Sequence, residues 1–263
     1  MKKASATPII TLTTDFHDDL YVAQVKGVIL SINRTVRIVD IKHDVTSYSI
    51  PEAAFLISQT YPSFSRGTIH LAIIDPGVGT SRGCLLIQTQ DYFFIGPDNG
   101  LFSLILKDEK MKKIFEVDAA KFKPVSPTFH GRDIFAPLAA YISLGKKPEE
   151  FGRRVQKIVE LEMKRNSIIY INGFGNIITS IKKNFLPGKE LIVRHKKRKI
   201  GARFVRTFAE AKRDEFIVLK GSSGYLELDK NLSSSARELK ARVGDPIEII
   251  KRESAEVRRS NRP

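Results

Sequence analysis

The chain has 263 residues, of which 42% are hydrophobic and 28% charged, a balance that fits a soluble folded protein and is too apolar for a disordered one. No apolar run approaches the roughly 20 residues that a membrane-spanning helix needs, and the single cysteine, Cys84, excludes an internal disulfide and a cysteine-built zinc site. The net charge of +15 is lopsided: residues 1–150 hold 17 Lys and Arg against 16 Asp and Glu, while residues 151–263 hold 27 against 13.

In chain order, PIITLTT (8–14) reads as a buried strand and LYVAQVKGVILSI (20–32) as an amphipathic helix. VRIVDI (36–41) is the next strand, and PEAAFLISQTY (51–61) is a helix opening on proline. TIHLAII (68–74) and CLLIQT (84–89) are further strands, and DIFAPLAAYISL (133–144) is a helix after a loop. Such alternation predicts an α/β domain with a largely parallel sheet. The second half changes character. SIIYIN (167–172), ELIVRH (190–195), EFIVLK (215–220), GYLEL (224–228) and PIEII (246–250) are short strands between Gly, Asn, Ser and Lys turns, with a short helix at SSARELKA (234–241). They predict a smaller all-β barrel domain with a basic surface. The boundary falls within 145–165, near GKKPEEFGRR, which gives domains of 1–155 and 156–263. The tail 251–263 is expected to fray. No apolar core follows Lys2 and Lys3, so no signal peptide is expected and the expected compartment is cytoplasmic.

The densest charge run is Arg194-His195-Lys196-Lys197-Arg198-Lys199. It suits a phosphate track, but it equally suits a solvated hairpin edge guarded by lysines, and no aromatic lies within it to stack a base. The hairpin edge is the favoured reading.

Four loops at strand ends carry functional groups, the place where open α/β sheets bind ligands. In Thr13-Thr14-Asp15-Phe16, Asp15 suits either the two hydroxyls of a ribose or the N-cap of the next helix. Asp75-Pro76-Gly77-Val78-Gly79-Thr80-Ser81-Arg82-Gly83 is glycine-rich but matches neither a Walker loop nor a dinucleotide fingerprint. Its distinguishing feature is Asp75 and Arg82, which a tight turn would bring together as an ion pair. Pro97-Asp98-Asn99-Gly100 reads as a turn. In Thr128-Phe129-His130-Gly131-Arg132-Asp133, His130 precedes a helix start, where the dipole favours neutral imidazole. A structural histidine is the commoner outcome at such a position. Asp15, Asp18 and Asp19 follow no calcium-loop pattern and no histidine pair has ligand spacing, so no metal is expected. Cys84, inside an apolar strand, reads as packing.

Taken together, TLTTDF, YVAQVKGVI, IIDPGVGTSRG, IGPDNGL, TFHGRDIFAP, FGNIIT and GSSGYLEL, in this order over nearly the whole chain, resemble the S-adenosyl-L-methionine (SAM) hydroxide adenosyltransferase family, the adenosine-forming SAM hydrolases related to fluorinase and chlorinase. The resemblance implies an α/β domain, a C-terminal β-barrel and a homotrimer with active sites between subunits. It implies SAM as substrate, adenosine and L-methionine as products, and no cofactor. The family's catalytic set falls on Asp75, Arg82 and His130. Halide-using relatives carry tyrosine where Asp75 stands, which makes water the expected nucleophile and a halide-dependent transferase the lesser reading. The ribose-binding aspartate matches Asp15, and an aromatic over the substrate matches Tyr48. Phe129 and Gly131 are expected on the ribose side. Phe174 and Asn176 fall in the FGN motif, with Asn176 at adenine; Ser222 and Ser223 fall near adenine, with Phe208 stacked on it. One departure is Asn172, where the family usually has an acidic residue facing the substrate ammonium. Losing a charge-assisted hydrogen bond there, worth roughly 1.5–3 kcal/mol, implies weaker SAM binding. It also leaves room for a SAM sensor with little turnover, and the basic second half for a nucleic-acid partner. The loop after Asp15, FHDDLYV, is also shorter and more acidic than the family's.

Overall fold

The structure, a computed structural model, describes residues 7–17, 19–109 and 112–252. Asp18 and the part of the C-terminal tail from residue 253 onward lie outside these. The chain divides into two compact units between Glu162 and Met163.

In the first unit β1 (Ile9–Thr14) lies between β2 (Arg37–Lys42) and β3 (Ile69–Ile73), parallel to both, and β3 is parallel to β5 (Phe93–Pro97). Then β4 (Cys84–Thr89), β6 (Lys112–Val117) and β7 (Gly152–Val155) add antiparallel, giving the order β2-β1-β3-β5-β4-β6-β7. The sheet is therefore mixed, which corrects the expectation of a largely parallel one. The reason is local. Only residues 90–92 separate β4 from β5, and a parallel pairing needs a crossover of roughly a dozen residues.

Two layers of helix cover this sheet. Leu71 and Ile73 of β3 face a core with α1 (Asp19–Ile32) and α4 (Ala136–Ser143), through Val25, Ile29, Leu138 and Ala139. Ala72 and Ile74, on the alternate face, pack with Ala53 and Ile57 of α2 (Ile50–Thr60) and Ile105 of α3 (Ser103–Asp108). The period-2 alternation of a strand buried on both faces produces this split. Residues 156–162 stay with this unit. Ile158 packs into the second core, Val159 N–H donates to Asp98 Oδ1 at 2.8 Å, and Leu161 N–H donates to Ser103 Oγ at 2.8 Å.

The second unit is one seven-stranded mixed sheet, curled into a half-barrel, in the order β14 (Ile247–Lys251), β10 (Glu190–His195), β11 (Arg198–Phe204), β12 (Phe216–Lys220), β13 (Leu226–Lys230), β9 (Ile177–Thr179) and β8 (Ile168–Ile171). Among the described residues of this unit, only β11 and β12 pair in parallel. The outer strands meet at one end through a bridge between Ser167 and Pro246. Alternate residues, among them Leu191, Val193, Ile200, Ala202, Leu226, Leu228 and Ile249, fill the concave core, with Ala236 and Leu239 of the short helix α5 (Ser235–Leu239) beneath them. The basic run forms the β10–β11 turn, with Lys196 at φ 53°. It lies between interior strands and guards no sheet edge, contrary to the hairpin-edge expectation. Its histidine is core: His195 is buried, with Nε2 3.1 Å from Asp245 Oδ2. Lys251, expected to be frayed, closes β14.

Candidate active site

The first unit gathers its functional side chains where β1 and β3 end. Asp15 directly follows β1, four residues before α1 opens at Asp19, so it does not cap that helix. Its Oδ2 accepts the backbone N–H of Tyr48 at 2.8 Å, which ties the β1 end to the loop after β2. Tyr48, at φ 65°, is 72% exposed, so its ring is available to a ligand.

The loop after β3 turns on itself through Val78 N–H to Asp75 O at 3.2 Å and Thr80 N–H to Gly77 O at 3.1 Å. Gly79 has φ 78°, and a Cβ there would lie 2.9 Å from Pro127 O, so glycine lets this loop press against the one that carries His130. The turn returns Arg82 to Asp75. Arg82 Nε donates to Asp75 Oδ1 at 2.8 Å and Nη2 donates to Oδ2, with both side chains under 10% exposed. Nη2 also donates to His130 Nδ1 at 2.9 Å, and Nη1 donates to Gly83 O at 3.2 Å and Cys84 Sγ at 3.0 Å. All five guanidinium hydrogens are thus engaged, and the group lies 5.3 Å from the Phe135 ring centre. Burial works most strongly against the Arg82 charge, but the hydrogen bonds and charge interactions with Asp75 and Cys84 together outweigh it, so the group ionises even more firmly than usual. Cys84 does more than pack: its sulfur is an acceptor for Arg82, and burial holds it as a thiol with a raised pKa.

Because arginine only donates, His130 Nδ1 is an acceptor, and the neutral ring carries its proton on Nε2. Burial first, and the Arg82 charge second, push the His130 pKa below its ordinary value. The turn after it, Gly131–Phe135, is π-helical, an irregularity common at functional sites. Gly131 is buried, with Ile73 3.2 Å from where a Cβ would stand. Asp133 is structural. Its Oδ2 accepts the N–H groups of Val125 (3.0 Å) and Ser126 (2.8 Å), and Arg132 pairs with it.

Asp15, Tyr48, Asp75, Phe129, His130 and Gly131 line one cavity of about 330 Å³. Arg82 lies behind Asp75 and His130 and does not line it. Sequence reasoning missed the other lining residues, Phe16, His17, Tyr21, Ser47, Ile73, Val78 and Thr128. Phe16, Tyr21 and Phe129 form an edge-to-face aromatic trio with centroids 5.3–5.9 Å apart, and His17 Nε2 lies 3.3 Å from Ser47 Oγ. Their adjacency to Asp15 and Tyr48 was the available signal. Among the described residues, no group of three or more His, Cys, Asp or Glu is arranged to hold a metal ion.

The other expected residues are in the second unit. Asn172 Oδ1 accepts the N–H groups of Phe174 (3.0 Å) and Asn176 (3.1 Å), and Asn172 N–H donates to Asn176 O at 3.2 Å, so this side chain folds the loop between β8 and β9. Gly175, at φ 86°, is pressed against Ser234. Phe174 is 82% and Phe208 41% exposed, each a free aromatic face. Ser222 is exposed and Ser223 half-buried in the β12–β13 turn, and the Ser223 hydroxyl has no hydrogen-bond partner.

Residues 10–152 match the model of the SAM hydroxide adenosyltransferase N-terminal domain, and residues 166–248 match that of the C-terminal domain. The chain belongs to this family. It is similar to the (R)-S-adenosyl-L-methionine hydrolase of Methanocaldococcus jannaschii, 36% identical over 256 residues covering 92% of this chain and 95% of that one. The enzyme of the same name from Thermus thermophilus is 30% identical over 259 residues, covering 92% and 99%. The fluorinase of Actinopolyspora mzabensis is 25% identical over 298 residues, covering 95% and 100%. A solved structure of an uncharacterized conserved protein from Thermotoga maritima superimposes with a TM-score of 0.84 at 30% identity, covering 92% of this chain and all of that one. Family membership agrees with the loops that compose the cavity.

Proposed function

We propose that this family member hydrolyses S-adenosyl-L-methionine to adenosine and L-methionine by in-line attack of water on C5′, and that the (R) sulfonium epimer, for which its relatives are named, is the form it takes. The observation that carries the reading is the hydrogen-bonded chain Asp75–Arg82–His130 at a cavity edged by Asp15.

The chemistry asks little of the leaving group. As the C5′–S bond breaks, its electron pair neutralises the sulfonium, and methionine departs without protonation. The demand falls on water, a weak nucleophile at neutral pH. His130, with hydrogen on Nε2, donates to the water oxygen and orients its lone pair, and Asp75 accepts the proton as the new C–O bond forms. A base role for His130 would require hydrogen on Nδ1 and would break the Arg82 contact. Arg82 holds both partners in register. Asp15, through the oxygen not bound to Tyr48, would take the ribose hydroxyls and align C5′, a gain of roughly several kcal/mol. Tyr48 and Phe129 would flank the nucleoside. Asn172, Asn176, Phe174, Phe208, Ser222 and Ser223 would receive the adenine and methionine ends from the second unit of a neighbouring copy, in a cytoplasmic homotrimer.

The test is incubation with each SAM epimer in halide-free buffer, then with chloride, with products resolved by chromatography. Adenosine under both conditions, lost in Asp75→Ala, is the expected result. A 5′-chloro-nucleoside formed with chloride, or no turnover of either epimer, would overturn the reading. Mixing Asp75→Ala with Asn176→Ala tests the assembly: intersubunit sites restore part of the activity that neither variant has alone.

A further inference from the structure

The face of β10, β11 and β14 turned away from the core carries a groove of about 510 Å³. Ile192 stands opposite Gly201 on one side and Ile250 on the other, and these three make its floor. Arg194, Lys199, Lys251 and Arg252 make its rim. Three features of this surface go unexplained by packing.

First, Arg194 and Lys199 are directly opposite each other across the β10–β11 ladder, on the same face. Like charges in that relation repel, and only Arg194 is relieved, by Glu248 at 3.0 Å. Second, Lys199 and Lys251 form no ion pair among the described residues, whereas Arg194 has Glu248 at 3.0 Å and Arg252 has Glu190 at 4.0 Å. Third, Gly201 lies inside a strand without a positive φ, and nothing lies within 4 Å of where its Cβ would be. Neither backbone conformation nor close packing calls for glycine there. A strand glycine of this kind weakens the sheet and leaves room for something else to approach.

We propose that this groove docks the phosphate backbone of duplex nucleic acid, independently of SAM hydrolysis. Four cations around a shallow floor fit a polyanion. The groove has no aromatic lining residue, so it offers neither the stacking platform of a single-strand binder nor the aromatic anchors of a protein interface. The turn residues Lys196 and Arg198 are not part of this surface, since Lys196 pairs with Asp245 at 2.9 Å and Arg198 donates to Glu238 O at 2.7 Å, but residues 151–263 carry a net +14. Phosphate contacts of this type bind without reading sequence.

The test is fluorescence anisotropy of the full chain with a labelled duplex of about 20 base pairs and with its single strand, from about 50 to 200 mM KCl. Affinity for the duplex is expected to fall linearly in log–log form with salt. Lys199→Glu with Lys251→Glu should weaken binding at least tenfold at the lowest salt and make the slope shallower by about 2. Gly201→Val changes no charge, favours the strand and fills the floor; it should weaken binding severalfold while SAM hydrolysis stays at the parent rate. Absence of salt-dependent duplex binding, parent-like binding by both variants, tighter binding of the single strand, or equal competition by polyglutamate would each overturn the proposal.

Discussion

Arg82 Nη2 donates to His130 Nδ1 at 2.9 Å while the same guanidinium holds both carboxylate oxygens of Asp75. One cation thus sets the imidazole tautomer and the carboxylate orientation together. The two candidate proton acceptors become distinguishable, because only Asp75 meets the cavity with lone pairs while His130 meets it as a donor. Glutamine at 130 places an amide N–H near the Nε2 position, so His130→Gln is expected to retain far more turnover than His130→Ala. Asp75→Asn, which keeps shape and loses basicity, should lower kcat by roughly 10²–10⁴ with little change in KM. Equal losses in His130→Gln and His130→Ala would favour a base role for the ring.

The same contact has a pH consequence. Burial and Arg82 hold the His130 pKa below the ordinary histidine value near 6.5, which displaces protonation of the ring to lower pH. Arg82→Met removes the second cause and leaves the first. In that variant any acid inhibition due to imidazolium should move to higher pH, read from kcat/KM between about pH 4 and 8.

Asn172 sets a different test. Its Oδ1 is spent on the Phe174 and Asn176 N–H groups, which an aspartate would satisfy equally well. Asn172→Asp therefore keeps the loop and adds a charge on the other side-chain atom. The expectation is a KM for SAM lower by roughly ten- to a hundredfold, from a charge-assisted bond of about 1.5–3 kcal/mol to the substrate ammonium, with kcat within about twofold. An unchanged KM would mean that the amide already serves the substrate or never meets it.

How far the sequence was legible depended on whether a signal was local. In the first half β1 to β4 and the helices α1, α2 and α4 follow from hydrophobic period, and Asp75 with Arg82 from a turn of fixed length, whereas β5, α3, β6 and β7 were not read. The π turn at Gly131–Phe135, where Gly131 packs closely on Ile73, has no such local signature. The direction of β4 was hidden for a related reason: pairing is long-range, and a buried strand reads the same in either direction. Strand β9 is three residues long, too short to show the apolar alternation that marks a strand, and in β11 the alternation of Ile200, Ala202 and Phe204 is interrupted by charge and glycine. The second cavity wall, Phe16, His17 and Tyr21, was missed because aromatic and histidine residues beside a carboxylate are ambiguous until their neighbours across the fold are known.

His70 predicts an acid limit to stability. It is buried in β3, bonded through Nδ1 to Thr11 Oγ1 at 2.9 Å, and surrounded by Tyr61, Phe64, Tyr92 and Phe94, with no partner for Nε2. Burial lowers its pKa to about 3. The unfolded chain takes up this proton near pH 6.5 and the fold does not, so stability is lost as pH falls from about 6.5 toward 3, at about 1.4 kcal/mol per pH unit at the steepest. His70→Gln removes the titration. Its unfolding free energy should lie below the parent's at pH 7, for lost packing, and should decline less steeply below pH 6, measured by urea denaturation across that range.

Asp229 predicts the opposite limb. It points away from the core of the second unit, opposite Ile217 on β12 and beside Glu227 on β13, fully buried, with neither oxygen hydrogen-bonded. Burial, and then the neighbouring Glu227, raise its pKa to about 8. The folded chain therefore keeps a proton that the unfolded chain releases near pH 4. The stability this gives is complete below about pH 4 and is lost as pH rises to about 8. Asp229→Asn, isosteric and uncharged, should leave the melting temperature nearly unchanged at pH 4 and raise it by several degrees at pH 8–9, where the parent must either hold a buried proton against the solvent or bury an unpaired carboxylate. Calorimetric scans of both chains at the two pH values measure the difference directly, and parallel shifts at both would assign the effect to packing instead of charge.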